Sequence, residues 1–164
     1  MTTPSLSVAL VTGANRGIGL ETARQLAVQG ITVLMAGRDE QAIHAAAATL
    51  EAEGLTVRPV VLDVVNPDHI AAVRDLIAAD YGHLDILVNN AGTITGETFF
   101  ENSAHSITAQ ALRATFEVNV IAPIALTQAL LPLIEKAPTG RIVNQSSVLG
   151  SLAVNRDYAG DWAA

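Results

Sequence analysis

The sequence predicts an α/β domain with helices on both faces of a doubly wound parallel sheet. Three observations carry the prediction: short apolar runs alternate with segments of helical period, the runs are continuously apolar, and aromatic residues are scarce. Half of the 164 residues are hydrophobic, yet only three Phe, two Tyr and one Trp are among them. An aliphatic, alanine-rich interior suits helices packed on a sheet better than an aromatic-rich sandwich. The length calls for one domain, residues 1–164, with one core.

Leu6 to Val11 stops at a glycine-bearing turn and reads as the first strand. Ile18, Thr22, Ala23, Leu26 and Ala27 follow at helical spacing, and Gly30 stands where a left-handed cap is wanted. The pattern repeats. Ile31 to Ala36 predicts the second strand, and after Gly37-Arg38-Asp39 an alanine-rich helix runs to about Glu53, capped by Gly54. Val57 to Leu62 predicts a third strand at a sheet edge, because Pro59 cannot donate to a ladder. Asn66-Pro67-Asp68 starts a helix that buries Ile70, Val73 and Ile77, with proline in its first turn and a carboxylate near the positive end of its dipole. Leu84 to Val88 predicts the fourth strand, and Thr93 to Ser106 a loop or marginal helix. Ile107 to Ile134 predicts a long helix, bent or interrupted at Pro123. Ile142 to Asn144 predicts the fifth strand, delivering Ser146 and Ser147, and the aperiodic tail 151–164 predicts loop. This alternation implies right-handed crossovers and a ligand site at the carboxyl ends of the strands.

A formal charge of −7 argues against nucleic acid or an anionic membrane surface as partner, since both demand a basic face. No cysteine is present, so there is neither a disulfide framework nor a thiolate metal site, and a reducing cytoplasm is the expected location. The N-terminus lacks a leader pattern, and the apolar stretches read as too short for a membrane span. His44, His69, His83 and His105 show no ligand spacing and are expected to face solvent, with no metal bound. Asp39, Glu40, Glu51 and Glu53 read as capping or helix-face charges.

The chemistry concentrates in Thr12-Gly13-Ala14-Asn15-Arg16-Gly17-Ile18-Gly19. Its glycines are spaced four and then two apart, rather than the two and three of the commonest dinucleotide fingerprint. The physical logic is the same: glycine lets the backbone approach a pyrophosphate, and the following helix offers free N–H groups and the positive end of its dipole. Alone this is an ordinary glycine-rich turn. Between a buried strand and an amphipathic helix, at the front of a repeating βα pattern, it is a nucleotide-binding turn. About twenty positions past the glycines, an acidic residue would bond the ribose 2′-hydroxyl of NAD. Gly37 stands there instead, followed by Arg38. A guanidinium suits a 2′-phosphate, and Arg16 can reach the same phosphate from the other side, so the pair points to NADP (NADPH). Either arginine by itself reads equally as a solvated charge.

These residues, together with Asn89-Asn90-Ala91-Gly92, resemble the short-chain dehydrogenase/reductases of the classical type. Asp63-Val64, Asn119 and Ile142-Val143-Asn144-Gln145-Ser146-Ser147 fall in that family's order, so the resemblance spans about residue 6 to 150. It implies a Rossmann-like sheet whose five strands here take the order 3-2-1-4-5. It also implies hydride transfer between a nicotinamide and a small-molecule carbonyl or alcohol substrate, as a ketone or aldehyde reductase or an alcohol dehydrogenase. By the resemblance, Gly13, Asn15, Arg16, Gly17, Ile18, Gly19 and Arg38 hold the cofactor's phosphates. Asp63 holds the adenine amino group with Val64 packed beside it, and Asn90, Ala91 and Gly92 form a turn that contacts the cofactor and stabilises the sheet. Ser147 orients the substrate oxygen, and Asn119 holds a water in a proton relay. Read without the family, Asp63 is equally a cap of the next turn, and Asn119 a helix position bonding back to Thr115. Family members often pair through the long helix, so a homo-oligomer is among the implied partners.

The family's tyrosine, with a lysine four residues later, belongs on a helix after the fifth strand. Here Tyr158 is followed four positions on by Trp162, and the single lysine is Lys136, ahead of that strand. The strands and helices of the family's C-terminal side are also absent, which leaves Ile142-Val143 as an apolar open edge. The sequence therefore predicts the NADP-binding portion of a longer enzyme. Its rivals are a non-catalytic NADP-binding module or scaffold lacking the Tyr/Lys pair, and a split protein completed by another chain.

Overall fold

Successive side chains of a buried strand point to opposite faces, so each strand divides its apolar residues between two layers. The structure, a computed structural model, describes residues 7–94 and 106–151. In β1 (Val8–Thr12), Val8 and Leu10 enter one core while Ala9 and Val11 enter the other. β2 (Thr32–Gly37) does the same, with Leu34 and Ala36 on the first face and Val33 and Met35 on the second. With β3 (Val57–Val61), β4 (Ile86–Asn89) and β5 (Arg141–Asn144) they form one parallel sheet in the order β3-β2-β1-β4-β5. This is the doubly wound arrangement and strand order expected from the sequence. Pro59 lies on the edge strand β3, and β5 forms the opposite margin with Ile142 39% and Val143 47% exposed.

The helices α1 (Gly17–Val28) and α2 (Glu40–Ala52) approach the sheet through Ala23, Ala27, Ala46 and Ala47. α3 (Pro67–Asp80) and α5 (Ala122–Ile134) fill the other face with Ile70, Val73, Ile77, Leu126, Leu130 and Leu133. Small residues on one side and branched aliphatics on the other account for a core nearly free of aromatic rings. Helix starts follow the sequence signals: Asp39 accepts the Ala42 N–H, and Asn66 accepts from Asp68 and His69. Gly30 and Gly54 close α1 and α2.

Three expectations need correction. The long helix is interrupted, but before Pro123: α4 (Ala109–Phe116) passes into a π segment, Glu117–Ile121, and only then into α5. The Ala122 N–H bonds the Glu117 carbonyl five residues back, which leaves Pro123 in the first turn of α5, where its missing N–H costs little. Taken as one run, Ala109–Ile134 is also long and apolar enough by composition to cross a membrane, contrary to the sequence reading. Its inner face, Leu126, Leu130 and Leu133, packs into the core under the sheet. The histidines differ as well. His44 is exposed, but the half-buried His69 accepts the Asp63 N–H through Nδ1 at 3.1 Å, and His83 lies between the Tyr81 carbonyl and Asp85. Asp85 is buried and accepts the Val8 N–H at 2.8 Å, so this group ties β1 to β4 at the end of the sheet opposite the glycine turn. His105 lies outside the described residues.

On the surface, Arg58 of β3 bonds Asp80 at 2.6 Å with both side chains 44% exposed. Solvent screens such a pair, so Arg58→Ala is expected to lower stability by less than about 1 kcal/mol in urea unfolding.

Candidate functional site

The carboxyl end of β1 is organised by one buried hydroxyl. Thr12 Oγ1 donates to the Val88 carbonyl at 3.2 Å and accepts the N–H groups of Asn90 and Ala91, each at 2.9 Å. Asn90 reciprocates, its Nδ2 donating to the carbonyls of Thr12 at 2.9 Å and Gly13 at 3.3 Å. The glycine turn and the Asn90-Ala91-Gly92 turn are thereby locked side by side. Nothing in the sequence reading assigned Thr12 a role. A β-branched hydroxyl residue closing a buried strand just before a glycine was the available signal.

The glycines serve different ends. Gly13 is left-handed (φ +64°), and a Cβ there would stand 3.0 Å from the Ala91 Cα. Gly19, within α1, admits no side chain at all: a Cβ would lie 2.3 Å from the Gly13 carbonyl oxygen and 2.5 Å from Asn90 Nδ2. Gly17 by contrast faces open space, with no atom within 4 Å of a built Cβ. That space is an open cradle at the start of α1. No side chain caps α1 and no acidic residue occupies its first turn, whereas α2, α3 and α4 are each capped by a side-chain oxygen. The first N–H groups of α1 therefore remain for an anion.

A groove of about 580 Å³ opens over this turn. Gly13, Asn15, Arg16, Gly17, Ile18, Gly19, Arg38, Asp63, Val64, Asn90, Ala91 and Gly92 all line it, so the structure brings together every residue that the sequence assigned to the cofactor. Leu62, Thr93 and Val118 join the wall unforeseen. Arg16 and Arg38 are exposed at the groove, and among the described residues they are its only basic ones. Of its two carboxylates among the described residues, Asp39 is occupied in capping α2, and Asp63 Oδ1 accepts the Val65 N–H at 3.2 Å. The turn-capping reading of Asp63 is thus realised in the structure, while its side chain still borders the groove.

Asn119 lies in the π segment and does not bond back to Thr115, whose hydroxyl donates to the Ala111 carbonyl instead. The Asn119 side chain takes the Thr93 N–H at 2.8 Å and donates to the Thr93 carbonyl at 2.7 Å, which pins the strand-end turn against the helix. Asn119→Asp keeps the acceptor and loses the donor. We expect it to cost about 1 kcal/mol in chemical unfolding, and Asn119→Leu, which loses both bonds, about 2 kcal/mol. Asn89, which the sequence reading passed over as a site residue, is buried and donates to Asn144 Oδ1 at 2.9 Å and Thr127 Oγ1 at 3.2 Å, joining β4 to β5 and α5. Ser147 is exposed just past β5, its carbonyl receiving the Gly150 N–H at 3.0 Å in a short 3-10 turn. It sits at the same end of the sheet as the groove but not in the groove wall. Tyr158 lies outside the described residues.

The family description of the short chain dehydrogenases matches residues 7–159. The chain belongs to the short-chain dehydrogenase family. Within that family it is 42% identical over 154 residues to carbonyl reductase (NADPH) 1 of Mus musculus, covering 92% of this chain and 52% of that protein. It is 34% identical to (+)-neomenthol dehydrogenase of Arabidopsis thaliana, covering 94% of this chain and 57% of that protein. Among solved structures, a metagenomic short-chain oxidoreductase in complex with NADP superposes with TM-score 0.78 at 36% identity, over 90% of this chain and 66% of that one. Salutaridine reductase from Papaver somniferum superposes with TM-score 0.80 at 29% identity, over 96% of this chain and 65% of that one. The chain therefore spans about half the length of the curated relatives it matches.

Proposed function

We propose that residues 1–164 are a single NADP-binding domain, and that the activity it serves is NADPH-dependent reduction of a small ketone or aldehyde, or the reverse oxidation of an alcohol, in the cytoplasm. One observation carries this reading: Arg16 and Arg38, the basic residues of the groove among the described residues, flank a strand end where Gly37 replaces the carboxylate of an NAD site. The cradle also fits a dinucleotide. The uncapped start of α1 and the open side of Gly17 suit a pyrophosphate, Ile18 offers a 63% exposed apolar face, and Asp63 and Val64 border the far wall where an adenine would lie. Relatives named as NADPH carbonyl reductases agree with this reading.

Bound there, the cofactor would supply the hydride. The chain's own work is to hold and orient it: Arg16 and Arg38 on the 2′-phosphate, the α1 backbone on the pyrophosphate, and the Asn90 to Gly92 turn against the nicotinamide side. Ser147 would orient the substrate oxygen from the end of β5, and Asn119 would hold a water beside the Gly92-Thr93 turn. The test is equilibrium binding of NADPH and NADH followed by nucleotide fluorescence. NADPH should bind more tightly, and Arg38→Asp should weaken it about 100-fold, the loss of a charge-assisted contact plus an added repulsion. Equal binding of NADH, with Arg38→Asp silent, would sink the reading.

A non-catalytic NADP-binding module is the second reading, favoured by one feature: the single lysine, Lys136, follows α5 rather than Ser147. Sequencing the gene past the codon for Ala164 separates the two: a tyrosine with a lysine four residues on supports the reductase, and their absence supports the module.

A further inference from the structure

The cofactor reading places weight on Gly37, the residue standing where an NAD site carries its carboxylate. Its glycine is not demanded by the backbone, because Gly37 is absent from the positive-φ glycines of the chain. What it faces is a side chain. A Cβ at Gly37 would stand 3.3 Å from the Cβ and Cδ1 of Ile43 and 3.4 Å from its Cγ1. Those distances are tighter than ordinary van der Waals contact, so Ile43 would have to give.

Neither partner has room to do so. Ile43 is fully buried on the sheet face shared by α1 and α2, and its β-branch restricts χ1 in a helix. Its first turn is held by the Asp39 cap on Ala42 and by its own N–H bond to the Asp39 carbonyl at 3.0 Å. Gly37 is tied in turn at the end of the β2 ladder, paired with Val61 and accepting the Leu62 N–H at 2.9 Å. We propose that Ile43 is a specificity-determining residue: by occupying the space behind Gly37, it excludes the carboxylate that would select NAD and leaves Arg38 to choose the 2′-phosphate. This rests on the cofactor reading above. It adds that the preference has two parts, one attractive and one steric, on different elements.

The packing half is tested without any nucleotide. Gly37→Ala should lower Tm by about 2–4 °C in the wild-type background, the size expected of mild overpacking. In an Ile43→Ala background the same change should be neutral or stabilising, because it refills vacated space and removes glycine's unfolded-state entropy. Equal shifts in both backgrounds would overturn the contact. The specificity half is read by nucleotide fluorescence. Gly37→Asp alone should lose NADPH binding without gaining NADH, whereas Gly37→Asp with Ile43→Ala should bind NADH at least about tenfold better than either single variant. NADH binding by Gly37→Asp alone as tight as by the double variant would overturn the role of Ile43. If the unaltered chain bound neither nucleotide, the cofactor reading itself would fall, while the Tm comparison would still decide whether Ile43 bars a side chain at 37.

Discussion

Gly19→Ala is expected to cost about 3 kcal/mol, lowering Tm by about 6–12 °C, and to abolish measurable NADPH binding. The added methyl group would stand 2.3 Å from the Gly13 carbonyl oxygen and 2.5 Å from Asn90 Nδ2. Neither neighbour is the loose end of a flexible side chain. The carbonyl belongs to a turn that also receives the Asn90 amide, and that amide is bonded to Thr12 and Gly13. Relief therefore requires α1 to move away from the end of β1, and the same movement opens the cradle. Gly17→Ala is the matched comparison, since a Cβ there meets nothing and the cost comes from its positive φ of 57° alone. It should cost about 1 kcal/mol. If thermal unfolding ranked the two variants the other way, the close-approach account of Gly19 would fail.

Thr12→Val is the second large effect. Valine copies the shape of threonine, so the core stays filled and only the hydroxyl is lost. The Ala91 N–H then loses its partner at a site where Thr12 is 1% exposed, and the Asn90 N–H and Val88 carbonyl are left with their bond to each other at 3.1 Å. One orphaned N–H costs about 1–3 kcal/mol and two weakened bonds add a little, so the expected total, with Asn90 and Ala91 half-exposed to water, is about 2 kcal/mol. The loss should extend to nucleotide affinity, because the Asn90 to Gly92 turn is a wall of the groove. Thr12→Ser keeps the hydroxyl and should retain most of the stability. A urea midpoint for Thr12→Val within error of the unaltered protein would show that the turns hold together without this bond.

Much of this was legible in the residues themselves. Apolar runs too short for helices, broken by glycines and followed by a 3.6-residue period, allow few structures other than a parallel sheet wrapped by helices, and Pro59 marks its own strand as an edge. The groove was readable for a related reason. In such a sheet every strand delivers its carboxyl end to one side, so Gly13, Arg38, Asp63 and Asn90, far apart in the chain, had to converge once the strands were assigned. The His83–Asp85 pair and the π turn were not legible. The first depends on the burial of Asp85 where it accepts the Val8 N–H of the neighbouring strand, and the second on how a helix accommodates a proline while its neighbours are held by packing.

By itself the sequence determined the strand and helix alternation, the family membership and the set of residues that gather at the groove, because periodicity and local turn chemistry are properties of neighbouring residues. Only the tertiary structure decided why Gly19 must be glycine, that Thr12 clamps two turns, that Asn119 holds Thr93 rather than its own helix, and that Ile43 stands behind Gly37. Each of these is a contact between different elements, which the periodicity of either one does not specify. Its sign is set by a few tenths of an ångström of space or by the partner of one buried polar atom.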